Sequence, residues 1–320
     1  MWDNFLYSIN VILPVFILVA LGYILKRLNF FSEGYLTTAD KLVFNLFLPS
    51  LMFLGTAESR LEESAGHMPL ILFVCAGITI GFVLSGLFIP LFVRENEKRG
   101  AMIQGSFRAN FSILGMPLAA AMFGQNGVAM MVMLTPSVTL LYNIYSVVAL
   151  IIFAPREKKP GFARTAGAIV VSTIKNPLII AVVLGLPFMI WEIPLPGFAG
   201  DSLGYLADAT FAVSLISLGA NISGMKISGK IKYSFAVSLV KVVILPVIMV
   251  VSAWLLGFRG EELGLVLVIF GSPAAVASYI MAKNMGSDGE LAGQILLITS
   301  MLCPITVFLG VFIMRSLGWL

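Results

Sequence analysis

Residues 14–22, PVFILVALG, return at 177–185 as PLIIAVVLG, and residues 50–59, SLMFLGTAES, return at 214–223 as SLISLGANIS. One unit is therefore written twice in a chain of 320 residues, at an offset of 163 to 164. A third echo sets Gly115-Met116-Pro117 against Gly271-Ser272-Pro273, in each case a helix breaker inside an apolar run. A duplication of this kind confines the fold to two like halves meeting at a shared interface.

Composition then selects the solvent. With 59% hydrophobic and 11% charged residues and a mean hydropathy of +1.01, the chain lacks the polar surface that a water-soluble globule of this length needs, and the surroundings must be lipid. The net charge of +4 does not point to nucleic acid, because the basic residues are scattered singly between apolar runs. Cys75 and Cys303 both fall inside apolar segments and read as free thiols packed as small hydrophobes. No disulfide framework, CxxC metal site or cofactor motif is present.

Ten apolar runs are long enough to cross about 30 Å of hydrocarbon. They lie near 5–25, 38–55, 69–93, 101–123, 128–153, 174–191, 203–220, 232–256, 262–282 and 290–314. The first is too long for a signal-peptide core and is followed by Lys26-Arg27 on its far side, so it reads as a retained span. With the N-terminus outside, the inner connections hold 15 of the 20 basic residues and the outer ones only Arg60, Arg259 and Arg315. That asymmetry predicts both termini on the outer face and the 154–173 linker, with Lys158, on the cytoplasmic side. Five spans per copy is an odd number, so the copies 1–153 and 174–320 are expected to be inverted relative to each other, an all-α membrane fold of two inverted five-helix repeats. Inverted repeats with broken helices point to a secondary transporter whose site lies at the repeat interface. No nucleotide-binding loop or hydrophilic domain interrupts the scheme.

The fourth and ninth runs carry the breaks. Pro117 and Pro273 each remove a backbone donor and clash with a carbonyl four residues back, and the freed groups must face protein or a water-filled cavity. Either the two helices are opened there and cross, presenting electropositive N-termini to an anion, or the prolines merely kink continuous helices. Asn110, Ser112 and Asn45 are candidate ligand contacts, with interhelical hydrogen bonding as the alternative. Charges inside spans are functional candidates by default. Lys241 either binds substrate or, as the favoured reading, sits against the carbonyl ends of the broken helices; Arg108 either binds or snorkels to the cytoplasmic headgroups. Asp208 could take a proton, pair with a cation or cap a polar contact. His67, the sole histidine, sits among Glu58, Glu62 and Glu63 in an outer connection, where a solvated loop is expected rather than an intramembrane enzyme site.

Two motifs carry a family likeness. NFSILGMPLAAAMFG (110–124) resembles the N-x4-G-[IM]-P-L stretch of auxin efflux carriers, and SPAAVASYIMAKNMG (272–286) resembles their P-x8-A-K stretch. FNLFLPSLMF (44–53) and the Leu218-Gly219-Ala220 turn are similar as well, so the likeness runs the length of the chain. The resemblance implies the crossed-helix fold of bile-acid symporters and sodium/proton antiporters, with a scaffold of spans 1, 2, 6 and 7 beside a mobile transport domain of spans 3–5 and 8–10. It implies a homodimer in the cell (inner) membrane that moves a small organic anion such as auxin, malate or malonate. Asn110 matches the crossover asparagine, and Pro117 and Pro273 the crossover prolines. The long hydrophilic loop of the plant carriers is absent, and Ala274 stands where a polar residue often follows the second proline, which argues against auxin itself. The leading expectation is thus a carrier for a mono- or dicarboxylate driven by membrane potential or protons. A sodium-coupled symporter and a non-transporting receptor are the rivals; the crossover stretches 104–124 and 265–283 contain no Asp or Glu to ligate sodium.

Overall fold

A backbone surrounded by lipid must satisfy its own hydrogen bonds, and helices do so within one segment. The computed structural model describes residues 1–59, 66–154, 167, 170, 171, 173–225 and 229–320, and every regular element among them is helical. Arg60, Glu62, Glu63, Arg156, Lys158, Lys159, Arg164, Lys226 and most of the linker lie outside the described residues. Helix α1 (Trp2–Arg27) is followed by α2 (Glu33–Leu42), α3 (Leu48–Ala57), α4 (Met68–Phe92), α5 (Asn96–Phe107) and α6 (Met116–Ile152). The second half runs through α7 (Pro177–Ile190), α8 (Gly197–Ser223), α9 (Ile231–Leu239), α10 (Leu245–Leu255), α11 (Gly260–Gly271), α12 (Val276–Asn284) and α13 (Gly289–Ser316). Starts are set by side-chain caps: Ser32 Oγ accepts from Tyr35 N, Asn176 Oδ1 from Leu178 N and Asp288 Oδ1 from Leu291 N.

Three wide π-turns, Val43–Phe47, Phe111–Gly115 and Val240–Ile244, each end two residues before a proline: Pro49, Pro117 and Pro246. A proline has no N–H for the carbonyl four residues back and its ring collides with it. In all three places the residue before the proline donates instead to the carbonyl five residues back, Val43, Phe111 or Val240, which opens the turn and lets the helix continue. Pro117 is accordingly not a break. The chain stays helical through it, and the interruption expected there lies at residues 108–110, seven positions before Pro117. The second interruption, at 272–275, does contain Pro273.

By length and apolar composition, six helical segments among the described residues can cross a membrane: Trp2–Arg27, Met68–Phe92, Phe111–Ile152, Gly197–Ser223, Ile231–Leu255 and Gly289–Ser316. The other four runs read from the sequence do not form a segment of that length and apolar composition. Residues 33–57 are divided by a π-turn, the stretches around 108–110 and 272–275 are interrupted, and α7 has only 14 residues. Phe111–Ile152, at 42 residues, is bent at Gly124, whose φ of 59° is a left-handed conformation that glycine adopts without a Cβ clash. The chain is therefore a multi-pass membrane protein.

Glycines set the closest helix contacts. A Cβ on Gly219 would stand 1.8 Å from the Val19 carbonyl oxygen, and one on Gly22 would stand 1.9 Å from that of Ile216, so α1 and α8 touch backbone to backbone. Gly185 brings α7 against α3 in the same manner, its Cβ position 2.9 Å from Phe53 O. Gly22 and Gly185 occupy the same place in the two copies of the repeated nonapeptide. The short helices α5 and α11 are buried on all sides, continuously over residues 100–107 and 263–271, which keeps the ends at the two interruptions away from lipid. We predict that Gly219→Ala destabilises the purified protein by about 1–3 kcal/mol, as overpacking a tight contact does. Gly86→Ala, where a Cβ meets nothing within 4 Å, should leave the thermal unfolding midpoint in detergent unchanged.

Candidate substrate site at the crossing of two interrupted helices

The two interruptions meet. Asn110 N donates to Pro273 O at 2.8 Å, and Ala109 and Ala274 form an antiparallel backbone bridge beside it. Ala274 N is bound by Thr299 Oγ1 at 3.1 Å. Each extended stretch thus supplies the partner that the other has lost, as a buried backbone requires. Asn110 and Pro273 stand 163 positions apart, the offset of the first repeated segment, so the bond joins one interruption from each copy.

Four helix ends converge here, and their polarity decides what surrounds them. The C-terminal end of α11 is closed by the fully buried Lys241, whose Nζ donates to Phe270 O at 2.7 Å, and by Cys303, whose Sγ lies 3.5 Å from Gly271 O. A cation at a helix C-terminus opposes the negative end of the dipole. The N-terminal ends, residues 111–113 leading into α6 and residues 275–277 opening α12, instead line a cavity of about 510 Å³.

Arg108 lies on the wall of this cavity, 9% exposed. Its Nη1 donates to Ser146 Oγ at 3.0 Å and contacts Met281 Sδ at 3.1 Å, and its Nη2 donates to Asn143 Oδ1 at 3.1 Å. All three partners are neutral, and among the described residues Arg108 has no carboxylate partner. Asn110 also lines the cavity, and its Nδ2 is buried with no hydrogen-bond partner. Other elements complete the lining: Asp40 of α2, Lys175 and Asn176 ahead of α7, and Ser214 and Asn221 of α8. Asp40 accepts a bond from Ser217 Oγ and is held by Asn221 Nδ2, 3.0 Å from Oδ2 and 3.3 Å from Oδ1. With Arg108, Lys175 and Asp40 the charged residues of the lining, two cations face one anion. The arrangement offers hydrogen-bond donors and positive potential to an anion, in a space that fits a small molecule.

The structure brings three of the residues read from the sequence, Arg108, Asn110 and Ser112, to the cavity. Pro273 and Ala274 build the crossing behind it through their backbones. Arg108 does not reach out to headgroups; Ser146, Asn143 and Met281 hold it inward. Lys241 is the counter-charge of a helix end. Three readings are corrected. Asn45 is exposed on the outside of its helix, its Nδ2 donating to Lys41 O at 2.9 Å, because the π-turn rotates it away. Asp208 is exposed on α8, off the cavity lining. Pro117 lies within a continuous helix and is absent from the lining. His67, expected to be solvated, pairs with Glu262 Oε1 at 3.0 Å in the first turn of α11.

Asp40, Tyr142, Asn143, Asn176 and Asn221 escaped the sequence reading. The repeat held a clue to the α8 residues: Ser217 and Asn221 stand where the first copy has Phe53 and Ala57. Such departures from symmetry mark places where one copy does something that the other does not.

A family model described as "Membrane transport protein" matches residues 7–311. The chain belongs to the membrane transport protein family. This is the auxin efflux carrier family that the two crossover motifs resemble. A Methanothermobacter thermautotrophicus protein named "Uncharacterized transporter" is 25% identical over 95% of this chain and 97% of its own length. The Escherichia coli K12 "Uncharacterized transporter YfdV" is 21% identical over 87% of this chain and 88% of its own. A Rhizobium meliloti protein named "Putative malonate transporter" is 25% identical, covering 96% of both chains. Family and relatives indicate a transporter rather than an enzyme. In this family member Lys241→Met should lower stability by about 1–3 kcal/mol, since it leaves the Phe270 carbonyl buried without a donor. Thermal unfolding of the detergent-solubilised variant checks this, and an unchanged midpoint would show that another group closes the end of α11.

Proposed function

We propose that the protein is a secondary carrier that moves a small organic anion, a mono- or dicarboxylate, across the cell (inner) membrane by alternating access. The observation that carries this reading is the cavity wall itself. Arg108 without a carboxylate partner, the unpartnered Asn110 amide and two helix N-termini meet on one surface. A buried guanidinium held by neutral groups leaves donor capacity for a carboxylate, which it binds with planar complementarity.

The proposed architecture is ten spans in two inverted five-helix repeats, the interrupted helices being the fourth and ninth. The meeting of one interruption from each copy, with Ala109 paired to Ala274, supports an axis that passes through the crossing. The paired glycine contacts, α1 on α8 and α7 on α3, are likewise exchanged by that relation. In this scheme α1–α3, α7 and α8 form the scaffold and α4–α6 with α9–α13 the transport domain. Under this division the scaffold contributes Asp40, Asn176 and Asn221 to the cavity and the transport domain Arg108 and Asn110. The basic asymmetry of the connections supports both termini outside. The scaffold residues of the cavity lie at helix ends flanked by Lys26, Lys41, Lys175 and Lys230, so the proposed opening is cytoplasmic. A homodimer through scaffold helices completes the proposal. The Rhizobium relative's name makes malonate the first substrate to try.

The test is uptake into proteoliposomes. A carboxylate and its neutral amide analogue are offered at equal concentration, with and without an imposed membrane potential, and with and without sodium. Preference for the acid and sensitivity to voltage are expected. Equal, voltage-insensitive uptake of both would remove the organic-anion reading, and uptake of the acid only with sodium would install the symporter instead. Asn110→Ala should weaken carboxylate binding about tenfold, the effect of one lost hydrogen bond to a charged group.

A further inference from the structure

Arg108 and the helix N-termini account for one end of an anion. Another helix, α2, brings a group of the other sign to the same lining. Asp40 is half-buried at the end of α2 and lines the same cavity. Its carboxylate is oriented by Ser217 and Asn221 on α8, both neutral, and among the described residues it has no ion-pair partner. A carboxylate offers about four acceptor positions and donates nothing. Three contacts from two donors occupy part of that capacity, and Oδ2 receives a single one, from Asn221 Nδ2 at 3.0 Å. The remaining acceptor capacity is open to a ligand.

Resting on the organic-anion reading above, we propose that Asp40 is a specificity-determining residue that requires a hydrogen-bond donor at the end of the substrate remote from its carboxylate. The substrate class is then a carboxylate monoanion ending in a hydroxyl, amide or N–H group. A dicarboxylate enters in its half-protonated form, with the remaining proton shared with Asp40. The charges decide between this class and a dianion. A second carboxylate directed at Asp40 would place two negative charges in contact inside a cavity walled by apolar residues such as Val43, Leu48 and Leu218. Lys175, the other cation of the lining, is exposed at the edge of the cavity and is screened by solvent, so it draws anions in more than it balances one bound deep. The charged and titratable groups that line the cavity with Asp40 are Arg108, Tyr142 and Lys175, with Lys41 beside it in sequence. A site built to bond a donor rejects an analogue without one far more strongly than it senses size, because its own polar group is left unmatched.

The measurement is competition for uptake in proteoliposomes at pH 7.5 by pairs of near-equal shape: malonamate, succinamate and glutaramate against the monomethyl esters of the same three acids. Using three chain lengths removes the need to know the span between Arg108 and Asp40. For the length that fits, the amide should compete at least tenfold better than the ester, and better than the fully ionised diacid. Asp40→Asn, which keeps the shape and adds a donor, should bring amide and ester within about twofold of each other and improve the diacid. Equal competition by amide and ester at every length in the unaltered protein would overturn the proposal while leaving the organic-anion reading intact, as would a diacid that outcompetes the amide. Failure of every carboxylate to compete would remove both. The unaltered protein answers the first comparison, so a poorly folding Asp40→Asn variant leaves the proposal exposed to refutation.

Discussion

A helix opened inside a membrane leaves backbone groups that no solvent will satisfy, and this protein opens two of them. The bond from Asn110 N to Pro273 O and the bridge between Ala109 and Ala274 let each opening complete the other. Much of the remaining structure follows from that requirement. The half-helices α5 and α11 are packed on every side because their ends could not face lipid. Thr299 is placed to hold Ala274 N, and Lys241 and Cys303 to hold the carbonyls that end α11. Once the C-terminal end of α11 is closed by protein, the free N-terminal ends give the cavity its positive character.

Two buried cations near the crossing have different roles because of where they point. Lys241 donates to a main-chain carbonyl and is enclosed completely. Arg108 is held by Ser146, Asn143 and Met281, which fix its position without neutralising it. A charge kept in low dielectric with only neutral partners is costly. Under the proposed function a ligand of opposite sign completes Arg108, which lines the cavity, whereas Lys241 lies outside the lining.

The prolines show how local sequence and tertiary demand divide the work. Pro49, Pro117 and Pro246 look like helix breakers, and each is absorbed by a π-turn that hands a carbonyl to the residue before the proline. Only Pro273 lies in an interruption. The first interruption is formed by Arg108-Ala109-Asn110, which contains no proline or glycine, so its opening is imposed by the crossing partner. The repeat offset of 163 carries Pro273 back onto Asn110; the Gly-x-Pro echo, at a shorter spacing, led to Pro117 instead.

Hydropathy, the duplicated segments and the family motifs together determined the membrane solvent, the helical class and the family, and singled out Asn110, which lies at the crossing. These are properties of local composition and of order along the chain, and they survive without knowledge of any contact. The direction of each polar side chain was not legible in the same way. Asn45 and Asn110 look alike in sequence, yet one bonds its own helix on the exposed side and the other is buried beside the cavity with its amide nitrogen unpartnered. Asp40 gained its place only when α8 brought Ser217 and Asn221 against it, from 177 and 181 positions away. A charge near a helix end is ordinary in sequence, and only the packing of distant helices decides whether it meets solvent, a carbonyl or the wall of a site.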